Sequence, residues 1–291
     1  MKIGVIGGSG LYDLDGIDNL EPVEVETPFG SPSDVYMHGM IGDRDIYFLP
    51  RHGKGHSILP SEINHRANIF GMKMLGVECV ISISAVGSLR EDMRPRDIML
   101  PDQYFDRTKK SLEHTFFGDG LVAHVGFGEP TCPDLRREIS AAIERVLSSE
   151  DPRRDLRVRD EGTYVNMEGP AFSTKAESRT YRKLGFDIIG MTSLPEAKLC
   201  REAEICYQAM AMITDYDCWH ESEDDVTAEG VFAHLMANSQ MAKSVLPELL
   251  PAIPESRGCG CGSALASAIM TQRGAAEDTR RKLGPLVSKY L

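Results

Sequence analysis

No apolar run in this chain approaches the about 20 residues that a membrane-spanning helix requires. The start, "MKIGVIGGSG", is too short and glycine-rich for a secretory leader and reads as a first strand meeting a tight turn. Positive charge is in deficit: 32 Lys+Arg against 44 Asp+Glu give a formal net charge of −12. That argues against general binding to nucleic acid or an anionic membrane, although a few local donors still suffice for a small anion. No internal repeat, low-complexity tract or Ser/Gly linker divides the 291 residues. The chain is long enough for one large core or two smaller ones. A cytoplasmic location is the expectation.

Two nucleotide signatures are missing as well. The glycines of "GVIGGSG" are Gly4, Gly7, Gly8 and Gly10, which fit no G-x-G-x-x-G register, and no P-loop lysine accompanies them. Nicotinamide and ATP readings lose support. What remains there is a turn with open backbone amides and the hydroxyl of Ser9.

Seven cysteines are present: Cys79, Cys132, Cys200, Cys206, Cys218, Cys259 and Cys261. Most stand singly in apolar surroundings, as small buried hydrophobes do. "GCGCG" at 258–262 differs, because glycines on both sides let two thiols approach. A zinc site would want a second pair of thiols or histidines, and no CxxC or HxxxH accompanies this one. The expectation is therefore no metal, and a redox pair or disulfide between Cys259 and Cys261.

Apolar strand-like runs recur at 2–7, 44–49, 79–84, 163–168, 187–191 and 206–214. Helical patterns lie between and after them, at about 61–76, 133–148, 174–184, 194–204, 227–247, 262–271 and 275–284. This alternation predicts an α/β protein, a mixed central β-sheet flanked by helices. Residues 102–130 lack periodicity, and so long a loop usually has a function or packs on another subunit. "SLPE" predicts Ser193 as an N-cap with Glu196 folding back as a capping box; "TKAE" predicts the same for Thr174 and Glu177.

Several of these strands end in donor-rich loops. "FLPRHGKGH" places Arg51 and His52 at a strand end, a guanidinium fork and a titratable imidazole suited to an oxyanion. "ISISAVGS" ends another in Ser84 and Ala85, and "GMTS" leads into a helix through Met191 and Thr192. Ligands of open α/β sheets gather beyond the carboxyl ends of the strands. Four such endings, Ser9 included, predict an inorganic phosphate site. "AMAMITDYDCWHE" supplies the opposite chemistry, with Asp215 and Asp217 two residues apart on one face if the strand continues. Two carboxylates suit a neutral ligand that donates hydrogen bonds, such as a purine edge. Trp219 and Cys218 argue that the pair is buried, while the following "HESEDD" reads as solvated.

Together "TDYDCW", "EGPAFSTKAES", "GMTSLPEAKL", "PRHGKGH", "TPFGSPSD" and "GGSGLYD" closely resemble the methylthioadenosine phosphorylases, within the trimeric purine nucleoside phosphorylase superfamily. The resemblance runs in order from the first strand to about residue 250. It implies one phosphorylase α/β domain over 1–250, with a C-terminal helical segment, 251–291, packed on it. It also implies phosphorolysis of 5′-methylthioadenosine without metal or organic cofactor, inorganic phosphate being a co-substrate. By similarity phosphate is held by Ser9, Arg51, His52, Ser84, Ala85 and Thr192. Met191 lies against the ribose, Phe172 against the base, and Asp215 and Asp217 face the purine edge, Asp215 being catalytic. Ser173 and Ala228 match positions linked to substrate preference. His124 resembles a histidine that a neighbouring subunit contributes near the 5′ group, which implies a homo-oligomer, a trimer or a dimer of trimers. Glycine-flanked CxC pairs also occur in thermophilic archaeal members, in line with the disulfide. The alternatives are a phosphorylase preferring inosine, guanosine or methylthioinosine, a hydrolase using water, and a purine- or phosphate-binding regulator without turnover.

Overall fold

The computed structural model describes residues 1–8, 17–148, 151–220, 228–271 and 276–291. Its strands are β1 (Lys2–Gly7), β2 (Asp18–Val23), β3 (Tyr36–Ile41), β4 (Arg44–Pro50), β5 (Val77–Ser88), β6 (Ile98–Met99), β7 (Gln103–Arg107), β8 (Val158–Arg159), β9 (Thr163–Met167), β10 (Ile188–Gly190) and β11 (Cys206–Asp215). The helices are α1 (His65–Met74), α2 (Pro133–Val146), α3 (Lys175–Lys183), α4 (Ser193–Glu202), α5 (Ala228–Leu249), α6 (Glu277–Lys282) and α7 (Gly284–Val287). All the expected strands form. None of the described helices is long and apolar enough to cross a membrane.

All the strands join one mixed sheet, ordered β2-β3-β4-β1-β5-β10-β9-β7, with β11 on the other edge of β5 and β6 and β8 beyond it. One face is covered by α2 and α5, whose Leu135, Ile139, Val245 and Leu246 pack on Ile3, Ile81 and Met210. The other is covered by α1 and α4, with Ile69, Phe70, Ala197 and Leu199 against Ile6, Val80 and Ala209. Strands enclosed on both faces must be apolar throughout, which is why β1, β5 and β11 read as continuous runs. Residues past 250 belong to the same cores: Ile253 and Cys261 join the first, Leu265, Leu283 and Leu286 the second.

Two expectations change. The stretch 262–271 forms no α-helix. A short 3-10 turn covers Gly260–Ser263, and Ile269 then pairs antiparallel with Ala123, which draws the chain out of helical geometry. Residues 102–130 contain β7 and a 3-10 turn at Ser111–His114, and bury Phe116 and Leu121 in their own chain's core.

β5 decides where a ligand can sit. Its first half runs parallel to β1, as far as the Ile6–Ser82 pair. Its last residues, Gly87 and Ser88, pair antiparallel with β10. Between Ser82 and Gly87 that edge carries no paired strand among the described residues. β10 runs back along β5, so its carboxyl end and that of β1 face each other across the gap.

Candidate active site

The gap opens into a pocket of about 470 Å³ lined from Ile83 to Gly87 along β5, by Gly8 after β1, by Arg51 and His52 after β4, and by Met191 and Thr192 after β10. Asp215 and Asp217, at the end of β11, line it too. Of the residues singled out in the sequence, Arg51, His52, Ser84, Ala85, Phe172, Met191, Thr192, Asp215 and Asp217 are thus brought together. Ser9 lies outside the described residues, as does the side chain of Ala228. Ser173 is not in the lining; its hydroxyl turns to the sulfur of Met167 at 3.9 Å. His124 is exposed and away from this chain's pocket, its backbone N–H donating to the Ala268 carbonyl.

At the donor end the guanidinium of Arg51 is buried and largely committed. Nε donates to Glu196 Oε1 at 2.6 Å, Nη2 to Glu196 Oε2 at 3.3 Å and to Ser82 Oγ at 2.6 Å, and Nη1 to the Ile83 carbonyl at 3.0 Å. Four of its five N–H groups are therefore used. The planar fork expected to clasp an oxyanion clasps a carboxylate instead. Arg51 is 2% exposed and Glu196 1%, and a charge buried so deeply demands a partner. This also corrects the capping reading. Thr192, not Ser193, is the N-cap of α4, its hydroxyl makes no cap bond, and Glu196 turns inward to Arg51. The capping box at Thr174 and Glu177 forms as the sequence predicts.

His52 differs from expectation as well. Its Nδ1–H donates to the Ile58 carbonyl at 2.9 Å, so in the neutral ring Nε2 carries the lone pair. Burial, with the Arg51 charge beside it, pulls its pKa down to about 4. At neutral pH and without an anion nearby, His52 is an acceptor and not the titrating group its type suggests. Ser84 is buried and its hydroxyl has no hydrogen-bond partner among the described residues, which leaves a donor for a ligand in the gap. The turn from β10 into α4 is fixed by Asn166, whose side chain donates to the Met191 carbonyl and accepts from the Leu194 amide.

At the acidic end, β11 stops at Asp215. Asp217 lies past it in a turn with φ 52°, so strand alternation is not what aligns the carboxylates. Asp215 Oδ1 accepts the Asp217 amide at 2.8 Å and Oδ2 accepts the Thr214 hydroxyl at 2.7 Å. Burial nevertheless pushes the Asp215 carboxyl above the usual range. Asp217 is raised by burial too, with the charge of Asp215 adding to it, and its Oδ2 has no hydrogen-bond partner among the described residues. A side chain at Gly87 would put a Cβ 2.9 Å from Asp215 Oδ1, so glycine there lets the carboxylate approach β5. Trp219 is buried as expected, its indole N–H donating to the Ser88 carbonyl at 2.7 Å. Most of the acidic stretch after it lies outside the described residues.

The comparisons with known proteins agree with this geometry. The phosphorylase superfamily model matches residues 2–250. S-methyl-5′-thioadenosine phosphorylases of Koribacter versatilis and Geobacter sulfurreducens are 51% and 49% identical; each alignment covers 99% of this chain, and 96% and 99% of the relative. The chain belongs to the phosphorylase superfamily, within its S-methyl-5′-thioadenosine phosphorylase family. Among solved structures, a methylthioadenosine phosphorylase from an antarctic soil metagenomic library superposes with a TM-score of 0.92 at 42% identity, covering 98% of both chains. The Schistosoma mansoni methylthioadenosine phosphorylase in complex with adenine superposes at 0.85 with 33% identity, over 93% of this chain and 99% of that one.

In this phosphorylase, sequence reasoning missed Glu196 and Asn166. A signal for Glu196 was available: an acid set among the apolar Leu194, Pro195, Ala197 and Leu199 of its helix must face something. The Cys259–Cys261 pair is corrected. None of the seven cysteines is in a disulfide, and both residues turn toward Cys132 and Cys206.

Proposed function

We propose that this chain is a pentosyltransferase that splits 5′-methylthioadenosine with phosphate into adenine and 5-methylthioribose 1-phosphate. The observation that carries the reading is a single pocket with anion donors on one wall and two carboxyls, Asp215 half-buried and Asp217 buried, on the other. Phosphate belongs in the β5 gap, where Ser84 and Thr192 offer free hydroxyls and Arg51 its remaining N–H. Ser9 is read as joining them, a reading that rests on the family resemblance. The bond from the ribose carbon to the base breaks, a phosphate oxygen bonds to that carbon, and a proton ends on N7 of adenine. Asp215, whose carboxyl burial raises above the ordinary carboxylate range, supports that proton, and charge developing on the departing base strengthens the contact. The unpartnered Oδ2 of Asp217 suits the exocyclic amine of adenine, whereas the oxygen of a 6-oxo purine would meet a carboxylate lone pair. Met191 and Phe172 supply the apolar walls for ribose and base. No metal or organic cofactor takes part in the reaction, and Ser173 and Ala228 are read as tuning substrate preference.

The enzyme is read as a cytoplasmic homo-oligomer, a trimer or a dimer of trimers. Supporting this, Val122 and Met270 are both exposed and joined by a backbone hydrogen bond beside His124, an apolar patch that fits a second copy. His124 would then reach the neighbour's pocket.

Release of base from methylthioadenosine, adenosine and inosine, with and without phosphate, tests the reading. Fast, phosphate-dependent release of adenine from methylthioadenosine is expected. Preference for inosine would overturn the roles of Asp215 and Asp217, and release indifferent to phosphate would mean a hydrolase.

A further inference from the structure

At the opposite end of β11 from the pocket, the sulfurs of Cys132, Cys206, Cys259 and Cys261 lie within 4.8 Å of one another, three of the residues buried and Cys259 half-buried. They come from three separate parts of the fold. Cys206 is the first residue of β11, and Cys132 is the N-cap of α2. The backbone N–H of Cys132 donates to the Tyr207 carbonyl at 2.8 Å, which locks it beside that strand. Cys259 and Cys261 flank the start of the 3-10 turn at Gly260–Ser263, and the Sγ of Cys259 is 3.3 Å from that of Cys206.

We propose that these four cysteines form a structural zinc site. Four thiolates around zinc at about 2.3 Å make a tetrahedron with sulfur–sulfur edges of about 3.8 Å, the scale of this cluster. All four positions are filled by protein, so the site is closed and leaves no place for water or substrate. Binding replaces four S–H protons by one Zn²⁺ and releases those protons, leaving a net charge of −2 on the centre. Two features of the fold offset that charge. The positive end of α2 begins at Cys132, and Arg201 directs Nη1 at the sulfur of Cys261, 4.0 Å away. The metal would tie the C-terminal segment to the strand and helix on which the fold's first core is built. Cys79 pairs in register with Cys206 but belongs to no such group, and Cys200 and Cys218 lie apart. In a reducing cytosol four converging thiols suit a metal better than two disulfides.

The test uses the full chain, produced with zinc and purified without chelator. Metal analysis is expected to find about one zinc per chain, and four of the seven thiols should stay unreactive until a chelator is added. Replacing zinc by cobalt should give the near-ultraviolet sulfur-to-metal charge-transfer band of a tetrathiolate centre. Cys259→Ser and Cys261→Ser together should abolish stoichiometric zinc while base release continues. If the double variant fails to fold, the cobalt spectrum and thiol count of the unaltered chain decide. Absence of zinc, with the four sulfurs paired as disulfides or freely reactive, would overturn the proposal; so would zinc retained in the double variant.

Discussion

β11 has chemistry at both ends, and the two ends were assembled in different ways. Nine positions, about 30 Å of strand, separate the carboxyl pair at Asp215 from the thiol group at Cys206. At the pocket end the acidic partners are two residues apart, and the donors stand at strand ends that the topology of α/β sheets brings together. At the thiol end the partners lie 53 to 74 positions away, in Cys132, Cys259 and Cys261, with no local spacing to announce them. One end is a site of short motifs. The other is a site of contacts.

The sharpest way to separate the ends is to disable one and watch the other. Asp215→Ala should lower turnover by about 10²–10⁴-fold, with the zinc content and melting temperature little changed. Near-normal turnover would remove Asp215 from the mechanism. Glu196→Gln strips Arg51 of its only anionic partner among the described residues, and breaking a fully buried pair costs about 3–5 kcal/mol. Chemical denaturation would read that loss, which should come with weaker use of phosphate. At the thiol end, zinc held at 100 times its Kd contributes about 2.7 kcal/mol. Chelation should therefore lower the melting temperature while initial rates well below it stay the same.

Two smaller effects sharpen the picture of the pocket end. Burial holds His52 down to about 4 and His65 to about 3. The unfolded chain protonates such groups below about pH 6.5, whereas the native state resists. Their contribution to stability is thus complete above that pH and is lost as pH falls toward 4. His65→Gln should flatten the decline by up to about 1.4 kcal/mol per pH unit, measured as unfolding free energy against pH. Last, Ser84→Ala removes a single neutral donor worth about 1 kcal/mol. It should raise the KM for phosphate roughly fivefold and leave that for the nucleoside alone; an equal rise in both would place Ser84 outside the phosphate site.

How far the sequence could be read follows from the range of the forces involved. β1, β5 and β11 were legible because both faces of each strand are buried, which forces unbroken apolar runs. β2 and β3, "DNLEPV" and "YMHGMI", were not, since they lie toward the sheet's edge with mixed residues and a proline or glycine. The helix expected at 262–271 failed because pairing with residues 122–124 overrode its alanine-rich propensity.

Composition and motif alone determined an acidic α/β phosphorylase with hydroxyls, an arginine and a histidine at strand ends, and two carboxylates to face them. Local chemistry and strand topology suffice for that much. Only the tertiary structure decided that Arg51's fork is taken by Glu196, that His52 is held neutral, and that the strand stops at Asp215. Only there, too, do four scattered cysteines become neighbours. Each of these depends on which distant groups share a low-dielectric interior, where an unpaired charge or donor is costly, and sequence spacing carries no record of that company.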